Sequence, residues 1–168
     1  MDAVSKVYAA LWEAGAKLGL ADFGLYAMNS LRLEKAYAGW GAELTSEITP
    51  AEAGLERFVK LDKDFVGKAA LERVQAAGVQ GKLAYVEVDA TTADVFGGEA
   101  VWSGGTLAGV ATSGGYGHHT GKSLAFVYVL PAYARAGCPL EIELLGERRA
   151  ARVLAGPVYD PENARPRM

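Results

Sequence analysis

The feature that most restricts the fold of this chain begins at residue 81, where short apolar segments alternate with glycines. The segments are KLAYVEVD, EAVWSGGTLAGVATSGGYG, GKSLAFVYV, PLEIELLG and RRAARVLAG. Short segments with turn residues at spacings of about 8–12 are typical of antiparallel sheets and small barrels. Because SGGT and LLGERR also carry hairpin-turn patterns, we predict a compact antiparallel β-barrel over residues 81–157.

The first 80 residues show helical periodicity interrupted by glycine-rich loops. Apolar residues recur at spacings of three, four and seven, which predicts amphipathic helices. The predicted inward faces are Val4, Val7, Tyr8, Leu11 and Leu18 in a first helix, and Leu25, Met28 and Leu31 in a second. A further helix is predicted from Gly67 to Gly78, with Ala70, Leu71 and Val74 facing inward.

The segment RFVKL, residues 57–61, has the pattern of a strand. With the helices it predicts that residues 1–80 form an α/β part. The predicted fold class is therefore α+β, with this α/β part followed by the barrel over 81–157. Residues 158–168 form a tail that we expect to cover the surface or fray.

Composition disfavours several classes of partner. The net charge is −3, and no basic run exceeds two residues, so nothing indicates a nucleic-acid surface. The longest apolar run, LAFVYVLPAYA, is shorter than the roughly 20 residues of a spanning helix and contains a proline, which predicts no membrane span. The single cysteine, Cys138, cannot form an internal disulfide; a reducing compartment is expected, and the cytoplasm is predicted.

Motifs for self-contained catalysis are missing from the sequence. There is no dinucleotide fingerprint after a strand, no phosphate loop and no nucleophile elbow. His118 and His119 are adjacent and fit a turn better than a metal site, so neither a metal site nor a catalytic residue is predicted. The nearby glycines are interpreted as turn residues: Gly114, Gly115, Gly117 and Gly121. The lack of these catalytic motifs suggests that the chain contributes only part of a composite site.

Several separated motifs resemble the folate-binding aminomethyltransferase family, which includes the glycine cleavage T protein and the C-terminal halves of dimethylglycine and sarcosine dehydrogenases. The first is GLYAMNSLRLEKAYAGWGAELTSEITPAEAGLERFVKLDKDFVGKAAL. VWSGGTLAGVATSGGYGHHTGKSLAFVYV and AGCPLEIELLGERRAARVLAGPVYDP follow in the family's order. The resemblance implies a three-lobed ring around a folate channel, of which this chain supplies the end of the second lobe and the third-lobe barrel.

Within the family, SLRLEKAY and GLERFVKL look closer to the dimethylglycine and sarcosine dehydrogenase branch. Met28 and Asn29 stand where T proteins usually carry an Arg-Asp pair whose arginine helps to bind folate. The resemblance thus implies the C-terminal portion of a tetrahydrofolate-dependent one-carbon transfer protein of an amine-oxidising enzyme. The alternatives are the glycine cleavage T protein itself and a non-catalytic folate-binding helper of the same fold.

The resemblance also implies three positions on the folate wall: Met28, Tyr37 and Arg57. Each has a second interpretation, as helix core for Met28, as an ordinary structural residue for Tyr37 and as a solvated surface cation for Arg57. The implied cofactor is tetrahydrofolate, with FAD only in an upstream domain. The implied partners, folate and a small methylamine substrate, would bind through lobes outside this sequence, so the isolated chain is predicted to be inactive.

Overall fold

A computed structural model of the chain describes residues 2–168, which contain three α-helices followed by six β-strands. The helices are α1 (Asp2–Gly15), α2 (Leu25–Glu34) and α3 (Lys68–Ala77). The strands are β1 (Lys82–Val88), β2 (Ala100–Ser103), β3 (Thr106–Gly117), β4 (Lys122–Val129), β5 (Pro139–Leu144) and β6 (Glu147–Val153). None of the helices within residues 2–168 has the length and apolar character needed to cross a bilayer.

The six strands close into an antiparallel barrel in the order β1-β4-β3-β2-β5-β6, and β6 pairs back onto β1. Alternate side chains along each strand point into the barrel. There, Val86, Val101, Val127 and Ile142 are fully shielded from solvent. The predicted α+β fold with an antiparallel barrel is confirmed.

Two of the hairpins turn where the sequence predicted. Gly104 and Gly105 connect β2 to β3, with φ of +55° and +83°. Leu145 and Gly146 connect β5 to β6, with φ of +51° and +82°. Two successive residues with positive φ make the primed turns, whose twist matches that of paired strands.

The glycine cluster at the end of β3 serves close packing more than turning. Only Gly121 lies in the turn after β3, with φ of +69°. A Cβ at Gly114 would stand 2.5 Å from the Cβ of Val95, and one at Gly117 would stand 2.8 Å from the Cγ of Glu34. The prediction that all four glycines serve turn geometry is therefore wrong, because three belong to β3 and two of those admit neighbouring groups.

The strand predicted at residues 57–61 does not form. A single turn of 3-10 helix, Glu56–Phe58, occupies its start, and Phe58 is 65% exposed. Residues 2–80 contain no strand, only an isolated bridge between Trp40 and Leu44. A closed barrel leaves no unpaired strand edge, so this segment finds no partner within residues 2–168 despite its strand-like composition.

Helix α3 lies where it was predicted, with Gly67 and Gly78 at its two ends. Leu71 and Val74 are half-buried, whereas Ala70 is exposed, so the predicted inward face is only partly correct.

The apolar faces predicted for the first two helices are real, but they are not covered by this chain. On α1, Val4 is 74% exposed and Leu11 is 62% exposed. On α2, Leu25, Met28 and Leu31 are 78%, 49% and 55% exposed. Hydrophobic periodicity fixes which residues share a face but not which face meets the core. The prediction that these faces are buried is therefore wrong for the chain as it stands.

Candidate functional site

Helix α2 packs on the outside of β3 through its polar residues. The side-chain amide of Asn29 donates to the Gly114 carbonyl at 3.0 Å, and the Ser30 hydroxyl donates to the Tyr116 carbonyl at 2.7 Å. Leu33 is fully buried beside them. The glycines of β3 permit this approach, since a strand without side chains leaves its carbonyls open to a neighbouring helix. The amphipathic pattern of α2 is thus inverted: its polar residues face the barrel, and Leu25, Met28 and Leu31 face away from it.

An ion pair joins α2 to the loop that follows it. The Arg32 guanidinium lies 3.1 Å from the Glu43 carboxylate, which is fully buried. The carboxylate also accepts from the Gly39 amide at 2.7 Å, the Thr112 hydroxyl at 2.8 Å and the Ser113 hydroxyl at 2.5 Å. A buried carboxylate is tolerated when it is paired and hydrogen-bonded in this way. Glu43 therefore fixes the GWG loop and α2 on the barrel.

A second buried carboxylate, Glu34, orders the turn between β3 and β4. Its Oε1 accepts from the His119 amide at 2.9 Å, the Thr120 amide at 2.7 Å and the Thr120 hydroxyl at 2.9 Å. The imidazole of His119 packs edge-on against the ring of Tyr159, with centroids 4.7 Å apart. The adjacent histidines are thus turn residues, and no group of three or more potential ligands for a metal ion occurs within residues 2–168.

The tail lies over the C-terminal end of α2. The Lys35 ammonium donates to the Asp160 carbonyl at 2.9 Å, to the Asp160 carboxylate at 3.1 Å and to the Asn163 side-chain carbonyl at 3.0 Å. The side chains of Lys35 and Asp160 are only 15% and 10% exposed. Burial works against the charge, but hydrogen bonds from the Ala164 amide and from Lys35 outweigh it and lower the pKa of Asp160.

The three predicted folate positions lie on exposed surface. Met28 belongs to the outward face of α2, so its alternative as helix core is wrong within this chain. Tyr37 follows α2 and is 53% exposed, and its hydroxyl donates to Asn163 at 3.3 Å. Arg57 is exposed in the 3-10 turn, with its guanidinium 4.6 Å from the Phe58 ring centroid.

Met28, Tyr37 and Arg57 do not converge into a closed site. Among residues 2–168, no hydrogen bond, ion pair or ring contact joins any two of them. What they share is exposure. Their role in binding folate stays a prediction.

Sequence reasoning missed two features near these positions. One is the Lys35 cluster, whose partners are 125 and 128 residues away in the chain. No local pattern signals a contact at that separation. The other is a cavity of about 1120 Å³ at one end of the barrel, lined by residues 87–94, 121–123 and 150–152 together with Tyr116 and His118.

Two charged groups of that cavity are paired with each other, and a third accepts a hydrogen bond from a hydroxyl. The Lys122 ammonium lies 2.7 Å from the Glu87 carboxylate, and the Ser123 hydroxyl donates to Asp94 at 2.7 Å. Asp89 and Arg152 also line the cavity, and no ion pair within residues 2–168 includes either of them.

A closed barrel bearing helices whose apolar faces point away from it is a module suited to packing against further structure. Two family models match the chain in succession. The GCVT N-terminal domain matches residues 1–63, and the glycine cleavage T-protein C-terminal barrel domain matches residues 82–160, which contain all six strands. Only residues 64–81 and 161–168 are unmatched. The chain belongs to the glycine cleavage T-protein family, as its motifs indicated.

Relatives with three different names align with almost the whole chain. Dimethylglycine dehydrogenase of Mus musculus is 42% identical over 164 residues, covering 96% of this chain and 19% of that protein. Sarcosine dehydrogenase of the same species is 33% identical, covering 95% and 18%. Aminomethyltransferase of Saccharopolyspora erythraea is 37% identical, covering 91% and 42%. The chain thus spans about a fifth of the length of the dehydrogenases that it matches.

The fold agrees with a solved member of the family. The crystal structure of glycine cleavage system aminomethyltransferase T from Bartonella henselae matches with a TM-score of 0.74 and 28% sequence identity. The match covers 80% of this chain and 38% of that one. Sequence and structure therefore point to the same family, whose members named above are enzymes.

Proposed function

We propose that this chain is the C-terminal portion of a tetrahydrofolate-dependent one-carbon transfer protein of the dimethylglycine or sarcosine dehydrogenase type. The observation that carries the proposal is the inverted amphipathy of α2, which anchors polar residues on the barrel and presents Leu25, Met28 and Leu31 outward. An exposed apolar face of this kind marks an interaction or ligand surface. The parent protein would pass a formaldehyde equivalent, released by amine oxidation, to tetrahydrofolate.

The second candidate is the aminomethyltransferase of the glycine cleavage system, supported by the 37% identity to the S. erythraea enzyme. Met28 and Asn29, which stand where T proteins usually carry the Arg-Asp pair, favour the dehydrogenase type. The Asn29 side chain donates to the Gly114 carbonyl at 3.0 Å and accepts from the Arg32 guanidinium at 2.9 Å. Met28 beside it offers an apolar side chain where a T protein offers a cation. A non-catalytic folate-binding helper is the third candidate.

Tetrahydrofolate fits the chemistry that the three candidate residues offer. Tyr37 and Met28 are half-exposed, so a phenol ring and a thioether are available to pack against a pterin or benzoyl ring. Within residues 2–168 no carboxylate pairs with Arg57, so its guanidinium is available to a glutamyl carboxylate. When bound, tetrahydrofolate supplies the nitrogens that accept the one-carbon unit. FAD would belong to an upstream domain.

We also propose that the chain divides into three parts: the end of a lobe over residues 1–80, the barrel domain over 81–157 and a tail over 158–168. The small methylamine substrate and most of the folate site would lie on other lobes. For the compartment we propose the cytoplasm, from the single cysteine, whereas the animal dehydrogenases are named as mitochondrial. Alone, the chain should not convert tetrahydrofolate to its methylene form.

A chimera tests the proposed function. In mouse dimethylglycine dehydrogenase, the 164 aligned residues are replaced by this chain, and methylene-tetrahydrofolate is measured per amine oxidised. We expect carbon transfer in the chimera and only amine oxidation in a control lacking the segment. Amine oxidation without transfer above that control would contradict the proposal. A parallel chimera in the S. erythraea aminomethyltransferase tests the second candidate separately from the first.

Arg57 is tested in the same chimera with folates of different length. Arg57→Ala should weaken polyglutamyl folate more than monoglutamyl folate, because a lost cation matters most where carboxylates lie. Arg73→Ala, which removes another exposed arginine, is the matched control. Equal losses for the two folates by calorimetry, or no loss, would show that Arg57 is only a surface residue.

A further inference from the structure

The side-chain carbonyl of Asn163 is shared by two donors from the segment that follows α2. It accepts from the Lys35 ammonium at 3.0 Å and from the Tyr37 hydroxyl at 3.3 Å. We propose that Asn163, held by Lys35, is a positioning residue that fixes the orientation of the Tyr37 ring. The use of that ring as a folate wall rests on the proposed function.

Lys35 is committed to the tail. An ammonium group has three donors, and the structure gives the Lys35 group three acceptors, two on Asp160 and one on Asn163. The same ammonium lies 5.8 Å from the ring centroid of Tyr37 and 6.0 Å from that of Tyr159. Both aromatic rings and the tail are therefore arranged around one largely buried cation.

The tail turn, residues 159–163, has a defined backbone. Asp160 and Asn163 have φ of +44° and +51°, a region that asparagine and aspartate tolerate better than most residues. The Asn163 amide donates to the Asp160 carbonyl at 2.9 Å, and the Tyr159 amide donates to the Glu34 carbonyl at 3.0 Å. The carbonyl of Asn163 is thus presented to Tyr37 by a turn with its own support.

A fixed ring matters because Tyr37 is 53% exposed and would otherwise rotate. Ordering a side chain on binding costs free energy, and a ring already held in place avoids much of that cost. The hydrogen bond is at the phenol tip and Lys35 lies over one face of the ring, so the opposite face is available for stacking. Asn163 would therefore act on folate affinity through Tyr37 without touching the ligand.

The first experiment uses this chain with 3-fluorotyrosine in place of tyrosine and follows fluorine NMR. Tyr37→Phe assigns the resonance. Asn163→Gly removes the acceptor but tolerates positive φ, and Asn163→Asp restores an acceptor. We expect the Gly variant to move the Tyr37 resonance towards that of free fluorotyrosine and the Asp variant to return it. The resonance of Tyr85, which is 7% exposed in a cluster with Leu33, Leu124 and Phe126, reports an intact fold.

An unchanged Tyr37 resonance in Asn163→Gly, with Tyr85 also unchanged, would overturn the proposal. So would an Asp variant that fails to restore the resonance while retaining the fold. This measurement contains no folate, so its outcome is independent of the proposed function.

The second experiment measures folate affinity in the dimethylglycine dehydrogenase chimera, with 5-formyltetrahydrofolate as the probe. Tyr37→Phe and Asn163→Gly should each weaken binding about three- to tenfold, the range of one hydrogen bond. The double variant should be no weaker than the single ones, because both remove the same contact. Additive losses would overturn the coupling. A chimera that binds no folate would refute the proposed function and leave the fluorine result standing.

Discussion

The barrel and the helices before it use apolar residues in opposite ways. In the barrel, most apolar side chains of the strands converge on one interior, where Val86, Val101 and Ile142 have no exposed surface. Three others form a second cluster with Leu33 of α2: Tyr85, Leu124 and Phe126. On α1 and α2 the large apolar residues other than Leu33 point to solvent, and α2 meets the barrel through Leu33 and through the polar residues Asn29, Ser30 and Glu34.

This difference separates the part of the chain that stabilises itself from the part that specifies an interface. Burial of apolar surface is the main favourable term in folding, and the barrel obtains it within its own strands. The outward faces of α1 and α2 contribute little until another surface covers them. The predictions below compare matched positions in the two regions.

The largest effect is expected where the two regions join. Glu43→Gln removes the charge that faces Arg32, leaving a largely buried cation, and should lower the free energy of unfolding by about 3–5 kcal/mol. Glu147→Gln is the control, since Glu147 is 68% exposed in its pair with Arg149, and should change it by less than about 1 kcal/mol. Urea denaturation measures both. Similar losses in the two variants would mean that the buried pair does not join the regions.

A comparison of two apolar residues tests the contrast directly. Ile142→Ala, at a position with no exposed surface, should cost about 2–5 kcal/mol. Leu11→Ala, on α1 at 62% exposure, should change stability by about 0.5 kcal/mol or less. The same denaturation assay applies. If Leu11→Ala cost as much as Ile142→Ala, the face of α1 would be covered in solution and the contrast would fail.

Close packing at β3 gives a smaller effect. Gly114→Ala places a Cβ 2.5 Å from Val95 and should cost about 1–3 kcal/mol, as overpacked sites do. Gly156→Ala is the matched control, because its Cβ meets nothing within 4 Å. Thermal unfolding compares the two. A neutral Gly114→Ala would show that the loop carrying Val95 yields easily.

The smallest effect concerns alkaline pH. Burial, and then the charges of Glu52 and Glu43, raise the pKa of Tyr128 to about 12. A pKa raised on folding stabilises the fold below the unfolded value near 10, and this contribution is lost as pH rises through the folded value. Stability should therefore fall by about 1–2 kcal/mol between pH 10 and 12 through this group.

Tyr128→Phe should reduce that alkaline loss, although it also removes the hydrogen bond to the Glu43 carbonyl at 3.0 Å. Tyr26→Phe, at an 88% exposed tyrosine of α2, should lose stability with pH as the unsubstituted chain does. Denaturation curves at several pH values measure the slopes. Identical slopes for Tyr128→Phe and the unsubstituted chain would contradict the assignment.

Local patterns predicted much of the fold. The turns at Gly104–Gly105 and Leu145–Gly146 and the bounds of α3 follow from glycine positions and apolar periodicity, which act over a few residues. A capping box follows from an equally local pattern: the Thr49 amide and hydroxyl donate to the Glu52 carboxylate, three residues away, at 2.8 and 2.7 Å. It closes a single turn, because no apolar repeat extends it into a helix.

The candidate site was predicted only in part. Tyr37 and Arg57 came from a family resemblance, and their exposure agrees with a surface role that stays a prediction. Lys35 and Asn163 were missed, because their contact joins positions 128 residues apart. The contact of Glu43 with Ser113, 70 residues away, was missed for the same reason.

The sequence by itself determined which residues share a face and where the barrel turns, because both depend on periodicity and on glycine φ over a few positions. The tertiary structure decided which face of α2 is covered, that residues 57–61 form no strand, and where the tail lies. These outcomes depend on contacts between distant parts of the chain. An apolar face is buried only if a partner surface reaches it, and here the barrel instead offers hydrogen-bond acceptors to the polar side of α2.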